Sequence, residues 1–372
     1  MKSHWIWMSA ALIGCVEKAD DDENQRCNFD DVICTIAGKD SAGYNHQNQD
    51  ALDTKLDDPN ALAFDSYGRL LINDSRNQLV RRLEDDGILT TIVGRKEKTY
   101  AQPGHPLSSP LNVVVDMAIG PDGNLYMVES QGQQVLMVDM VYEELSIIAG
   151  SPGSVEGFNE GDVAIEDVNF SGLSGIVVSG NGTIYLSDAG EDVNLVRAIT
   201  PDGMVMTIAG EDENGFPIID QSNPNRLLNP QKLGLHNGQL YVTDTGRHRI
   251  VTVDVATGEL TNVAGQTDAA GYQGDGGPLH RVALDSPYAF AFGPDGRMLI
   301  ADSGNDAIRA VMIDATVDTV VGRGSSGFSG DEGPAEEASI DTPRDIMYAP
   351  DGSLIIADSY NARIRRVNEP GW

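Results

Sequence analysis

Six times along the chain the same order of apolar and polar positions returns. A short apolar run, usually led by proline, meets a glycine turn; a second apolar run ends in an acidic residue and a small polar one; a charged run follows. An Ile/Val-Ala/Val-Gly terminus usually closes the unit, at Gly94, Gly150, Gly210, Gly265 and Gly322. The sixth unit stops at Val367 without its terminus, and Val32 to Gly38 (VICTIAG) supplies the missing piece from the other end of the chain. Units of roughly 56 residues, each with four short strands, predict an all-β fold, a six-bladed β-propeller whose N-terminal strand completes the last blade.

The turns agree with that expectation. Ser66-Tyr67-Gly68, Pro121-Asp122-Gly123, Gly180-Asn181-Gly182, His236-Asn237-Gly238, Pro294-Asp295-Gly296 and Pro350-Asp351-Gly352 each part the first strand from the second. Their glycines supply a positive φ cheaply. First and second strands such as YAFAF and RMLIA are apolar on both sides of the pleat, as expected of sheets packed face to face. The first-to-second hairpins leave on one face of the ring. The second-to-third strand loops and the blade-to-blade connections leave on the other, and these longer loops are where binding is expected.

Composition narrows the partners. The 41 glycines and 6% aromatic content suit short strands bounded by turns, and the formal charge of −32 repels phosphate backbones. Nucleic acid is therefore an unfavoured partner, and cations or basic surfaces are favoured. Lys2, the apolar stretch Trp5 to Ile13 and the sequence Leu12-Ile13-Gly14-Cys15 read as an export signal over residues 1–14. The segment resembles a bacterial lipobox, which implies acylation of Cys15 and membrane attachment through that anchor alone. The expected location is the cell envelope, periplasmic or on the outer-membrane or surface side. Residues 15–31 are acidic and read as a flexible tether, with the propeller over residues 32–372. Cys27 and Cys34 are the other thiols, in a compartment that permits disulfides; pairing and separate free thiols both remain open.

The segments GRMLIADSGNDAIRAV (Gly296 to Val311) and GSLIIADSYNARIRRV (Gly352 to Val367) resemble NHL repeats. The connections GYQGDGGPLHRVALDSP (Gly271 to Pro287) and GFSGDEGPAEEASIDTP (Gly327 to Pro343) are similar to the spacers of bacterial and teneurin-type NHL propellers. Blade two departs at Glu129 and Gln134, and blade three inserts residues around Glu191.

Two kinds of polar position follow. Asp74, Glu129, Asp188, Asp244, Asp302 and Asp358 end every second strand, with Arg81, Arg249, Arg309, Arg363 and Arg365 on the third strands. Recurrence in each blade marks this set as scaffold, because a site of chemistry breaks the symmetry of a repeat. The positions after the residue that opens each inner strand do differ: Asn60, Val115, Ser174, Gln231, Tyr288 and Arg344, then Ala61, Asp116, Gly175, Lys232, Ala289 and Asp345. Asn60, Asp116, Gln231, Lys232, Tyr288, Arg344 and Asp345 are thus the candidate ligand-binding set at the channel mouth, a water-filled mouth with internal ion pairs being the alternative.

Calcium is the one cofactor the acidic loops admit, at Asp275, Asp331 or Glu211 to Gly215, although none alternates oxygen ligands as a calcium loop does. A turn with Pro278 or Pro334 starting one helical turn is the competing reading there. His46, His105, His248 and His280 map to the long-loop face without ligand spacing, and no nucleophile motif is present. The expected function is a non-enzymatic binding module for a protein, peptide or glycan of the envelope. The alternative, implied by six-bladed relatives, is a calcium- or zinc-dependent lactonase or lyase.

Overall fold

A computed structural model describes residues 27–368 apart from 28, 46, 98, 153–158, 160–161, 191, 212–213, 219 and 221. The signal and Cys15, most of the tether, His46 and Glu191 lie outside the described residues. The chain forms six antiparallel sheets of four or five strands, arranged as a six-bladed β-propeller. The inner strands are Pro59–Phe64, Val114–Ile119, Leu173–Val178, Pro230–His236, Ala289–Phe292 and Pro343–Tyr348, in blades one to six. Each blade then steps outward through consecutive antiparallel neighbours.

The ring closes as the incomplete sixth repeat requires. Val32–Ala37 pairs antiparallel with Arg363–Val367, setting Ile33 opposite Val367 and Thr35 opposite Arg365. Gly38 then does what the other closing glycines do. A Cβ there would fall 2.3 Å from the carbonyl oxygen of Ala362, just as one at Gly94 would fall 2.4 Å from that of Gln78. With φ near +97° at Gly38, glycine is required twice over. The N-terminal segment is thus the outer strand of blade six in its contacts as well as its pattern.

Cys27 and Asp31, within the stretch expected as the end of the tether, are bound to the ring. Cys27 and Cys34 form a disulfide, and the Asp31 amide donates to the Asn368 carbonyl at 3.0 Å.

The buried apolar side chains form six seams between blades. Leu62, Leu70 and Ile72 of blade one pack with Ala37, Ala357 and Ile364 of blade six, and Leu71 and Val80 of blade one pack with Met127 and Leu136 of blade two. Apolarity on both sides of the pleat follows from this arrangement, since each face is buried against a neighbouring sheet.

The connections protect the outer edges, where unpaired strand groups invite association. Gln49–Asp50 pairs with the outer strand of blade one, Val163–Ala164 with that of blade three, Gly277–Pro278 with that of blade five and Gly333–Pro334 with that of blade six. Pro278 and Pro334, expected to open a helical turn, sit in these edge pairs. They precede 3₁₀ turns at Leu279–Arg281 and Ala335–Glu337.

Deleting Asp30 to Gly38 strips the outer strand from blade six and empties the space of Ile33, which is fully buried. We expect a loss of at least about 3 kcal/mol, since removing one such side chain costs 2–5 kcal/mol, together with concentration-dependent aggregation through the bared Arg363–Val367 edge. Urea unfolding followed by light scattering checks both.

Candidate functional site at the channel mouth

The recurring carboxylates hold the entry to each blade. Asp74 accepts from the Asp57 amide at 2.8 Å, Asp188 from Ser171 at 2.8 Å, and Asp244, Asp302 and Asp358 from Leu228, Asp285 and Asp341 at 2.7 Å each. Guanidinium groups meet five of the six: Arg81, Arg197, Arg249, Arg309 and Arg365 lie 3.2, 3.7, 2.7, 3.2 and 3.5 Å from them in blades one, three, four, five and six.

Arg249 reaches its carboxylate from the first residue of its strand, whereas Arg81 sits two residues farther along. Arg363 serves elsewhere. It donates to the Asp40 and Asn361 carbonyls and lies 3.9 Å over the Phe328 ring. Asp275 and Asp331, considered for calcium, pair instead with Arg309 and Arg365 from the solvent side, the latter at 2.7 Å. Tyr44, Phe170, Tyr272 and Phe328 lie beside the guanidinium groups of Arg81, Arg197, Arg309 and Arg365. Reading the charges alone missed these rings, although three of the four follow a glycine in the sequence, Gly43, Gly271 and Gly327.

Blade two lacks the cation. Glu129 and Gln134 are fully buried, and Glu129 accepts from the Asn112 amide at 2.5 Å, while among the described residues its second oxygen and both polar side-chain atoms of Gln134 find no hydrogen-bond partner. Burial pushes the Glu129 carboxyl from 4.5 up to about 6, the amides of Asn112 and Ala101 pulling it partly back.

The residues that differ between blades converge. Asn60, Val115, Asp116, Ser174, Gln231, Lys232, Tyr288, Arg344 and Asp345 line one cavity of about 190 Å³ where the inner strands begin. All seven candidate ligand-binding residues are among them.

Its floor is an ion triad drawn from alternate blades. The Lys232 ammonium of blade four donates to Asp116 of blade two at 2.8 Å and to Asp345 of blade six at 3.0 Å. Blades one, three and five present Ala61, Gly175 and Ala289, which leave room for these longer side chains. Each carboxylate also clamps the next blade: Asp116 accepts from the Ile176 amide at 3.0 Å and Asp345 from Leu62 at 2.8 Å.

Burial pushes Asp345 up to about 6, Lys232 pulling it back and Asp116 adding to the rise. For Lys232 burial favours the neutral amine, but Asp116 and Asp345 outweigh it and hold the ammonium charged well above the usual lysine range.

The rim is less enclosed. Arg344 reaches Asp58 at 3.1 Å and lies beside the rings of Tyr288 and Tyr360, at 5.6 and 5.3 Å. Tyr360 was missed in the sequence; its signal was a tyrosine where the matching loops carry Arg76, Gly246 and Gly304. Gln231 donates to Asn229, and Asn60 accepts from Asn73.

His105, His248 and His280 do not line the cavity. His105 lies 3.4 Å from Glu143, and His248 accepts from the Ser286 amide at 3.0 Å. Among the described residues no group of three or more His, Cys, Asp or Glu side chains is placed to hold a metal ion.

Blade number, closure and register together decide the class. The chain is a six-bladed β-propeller of NHL-like repeats. No family model matches it. Human teneurin-4 is 24% identical over 325 residues, which is 77% of this chain and 11% of that protein, so the propeller spans about a tenth of the curated relative's length. Among solved structures, an auxiliary nutrient binding protein from Bacteroides thetaiotaomicron aligns with a TM-score of 0.64 at 16% identity, over 90% of this chain and 75% of the other. A streptogramin B lyase aligns with a TM-score of 0.54 at 14% identity, over 87% and 96%. At these identities the structures share the fold with this propeller.

The raised pKa of Glu129 carries a stability signature. Its folded-state value lies above the unfolded one, so its stabilising contribution is full below about pH 4.5 and is lost as pH rises through about 6. A shift of that size corresponds to about 2 kcal/mol. Glu129→Gln, neutral at every pH, should remove that share of the fall in stability between those values, leaving the share of Asp74, Asp302, Asp345 and Asp358, which burial also raises to about 6, and should raise stability at pH 7.5 by up to that amount. Urea titrations across this range measure it.

Proposed function

We propose that this propeller is a non-enzymatic binding module of the bacterial cell envelope, lipid-anchored through Cys15, which presents its channel mouth to a protein, peptide or glycan. The observation that carries the reading is the asymmetry of the mouth. Positions that repeat from blade to blade are consumed in internal hydrogen bonds and ion pairs, whereas the positions that vary gather around one cavity with aromatic and polar groups at its rim.

A rigid ring with variable residues at one end of its inner strands is a platform for recognition. The similarity to a nutrient-binding protein is consistent with ligand binding in general. The tie between Cys27 and Cys34 would let an acylated Cys15 hold the ring near a membrane through only a short acidic segment.

Two measurements on the full chain test this. Changing Cys15 to Ser should move the protein from the membrane fraction to the soluble one; unchanged partitioning removes the anchor from the proposal. In-cell crosslinking should yield a reproducible partner set that Tyr288→Ala with Arg344→Ala reduces tenfold or more, while Tyr67→Ala, on the opposite hairpin face, leaves it intact. Equal loss from both changes contradicts the mouth as the binding site. Metal-dependent turnover of a lactone would overturn the non-enzymatic reading.

A further inference from the structure

We infer that the group taken into the channel mouth is one neutral, hydroxyl-bearing ring, the terminal sugar of a glycan. The inference rests on the mouth being the binding site and narrows what it binds.

The floor's hydrogen-bond valences are nearly spent. Asp116 accepts from Met117, Ile176 and Lys232, and Asp345 from Ile346, Leu62 and Lys232. Both carboxylates are almost wholly buried, at 3% and 2% exposure, so a ligand cannot reach past the ammonium to meet them. Lys232 has three N–H donors and uses two, with its side chain 18% exposed at the cavity. The floor therefore offers a donor.

Around the wall the remaining valences alternate. Asn60 accepts from Asn73 through its oxygen, leaving its amide hydrogens. Ser174 gives its proton to the Pro230 carbonyl at 2.7 Å, leaving lone pairs, and Gln231 spends an amide hydrogen on Asn229, leaving its oxygen. Tyr288 keeps a hydroxyl for which no partner is found among the described residues.

Charge and volume select among ligands. Two carboxylates and one ammonium leave the floor with a net negative charge, Arg344 being balanced by Asp58. A carboxylate is disfavoured by that sum and by the lone pairs at Ser174 and Gln231. A cation meets the Lys232 ammonium head-on. Hydroxyls, which both donate and accept, satisfy the mixed lining. The cavity of about 190 Å³, below the roughly 300–1,000 Å³ of sites for drug-sized ligands, suits one small ring. Tyr288 lines the cavity and the half-exposed Tyr360 stands beside Arg344 at its rim, which gives the mouth apolar surface against which the C–H face of a sugar packs.

Ligand-observed NMR titration of the purified chain tests this with galactose, glucose and N-acetylglucosamine, their charged counterparts galacturonate, glucuronate and glucosamine, and N-acetyl-asparagine amide as the peptide probe. At least one neutral sugar should bind saturably. Its charged counterpart should bind at least tenfold more weakly, and Asn60→Ala and Tyr288→Ala should each weaken the neutral sugar tenfold or more while leaving the melting temperature nearly unchanged. Lys232→Met should abolish binding, its fold being checked separately by melting because it leaves Asp116 and Asp345 without their cation. If no neutral sugar saturates, or charged forms bind as well, the sugar assignment fails. Binding of the peptide probe alone, lost in Tyr288→Ala, overturns the sugar while sparing the mouth; silence of every probe together with unaltered crosslinking in the mouth variant overturns both.

Discussion

A hydroxyl at the end of a second strand, reaching the carbonyl that opens the next blade, joins the sheets into a ring. Ser75 of blade one donates to Val114 of blade two, Thr245 of blade four to Pro287, and Ser303 of blade five to Pro343. Blade three uses Ser174 to Pro230. The decisive member is Ser359, whose hydroxyl donates to the Pro59 carbonyl at 2.6 Å and so binds the last blade to the first. The clamp from Asp345 to the Leu62 amide crosses the same joint. All but the half-buried Ser174 bond are buried, where leaving a donor or acceptor unpaired costs about 1–3 kcal/mol. These contacts act together only if blade six is a complete sheet, and its completeness depends on a strand from the other end of the chain.

This dependence explains the division of labour among residues. A unit that must grip both neighbours commits the same positions in nearly every blade: the acidic residue to its own entry loop, the next hydroxyl to the following blade, the closing glycine to a backbone approach that admits no Cβ. Only positions outside that machinery can vary. The variable inner-strand starts surround the axis because a closed ring brings all six together there. The triad of Asp116, Lys232 and Asp345 shows both uses at once, since its carboxylates clamp neighbouring blades while its ammonium keeps a hydrogen to offer. Raised charge at the floor and aromatic rings at the rim are thus consequences of closure as much as of local sequence.

Much of this was legible in the chain. The periodic pattern disclosed blade number, the missing sixth terminus disclosed closure, and alignment on the inner-strand prolines placed Asn60, Asp116, Gln231, Lys232, Tyr288, Arg344 and Asp345 together, because equivalent positions in a ring lie at equal distance from its axis. What escaped was contact between non-equivalent positions. The interval from carboxylate to arginine is seven residues in blades one, five and six and five in blade four. In blade three the insertion around Glu191 lengthens it, which hid Arg197. Asp275 and Asp331 resembled ion ligands because their partners, Arg309 and Arg365, each stand 34 residues farther along the chain. Tyr360 joins Arg344 at the rim through loop geometry that no spacing encodes. Whether Cys27 would meet Cys34 depended on where the incoming chain turns, a tertiary matter.

The central claim is that the N-terminal strand is an integral part of blade six and that the mouth exists only through it. Amide hydrogen exchange on the intact chain, read at Val32 to Ala37 and at Leu62, tests it most directly. The account predicts that the strand's paired amides are protected as strongly as those of Leu354–Asp358 in the middle of the same sheet, and that the Leu62 amide, held by Asp345, exchanges with them in one cooperative opening. Exchange of Val32 to Ala37 at the rate of an unstructured peptide, with Leu62 and the remaining blades still protected, would contradict it.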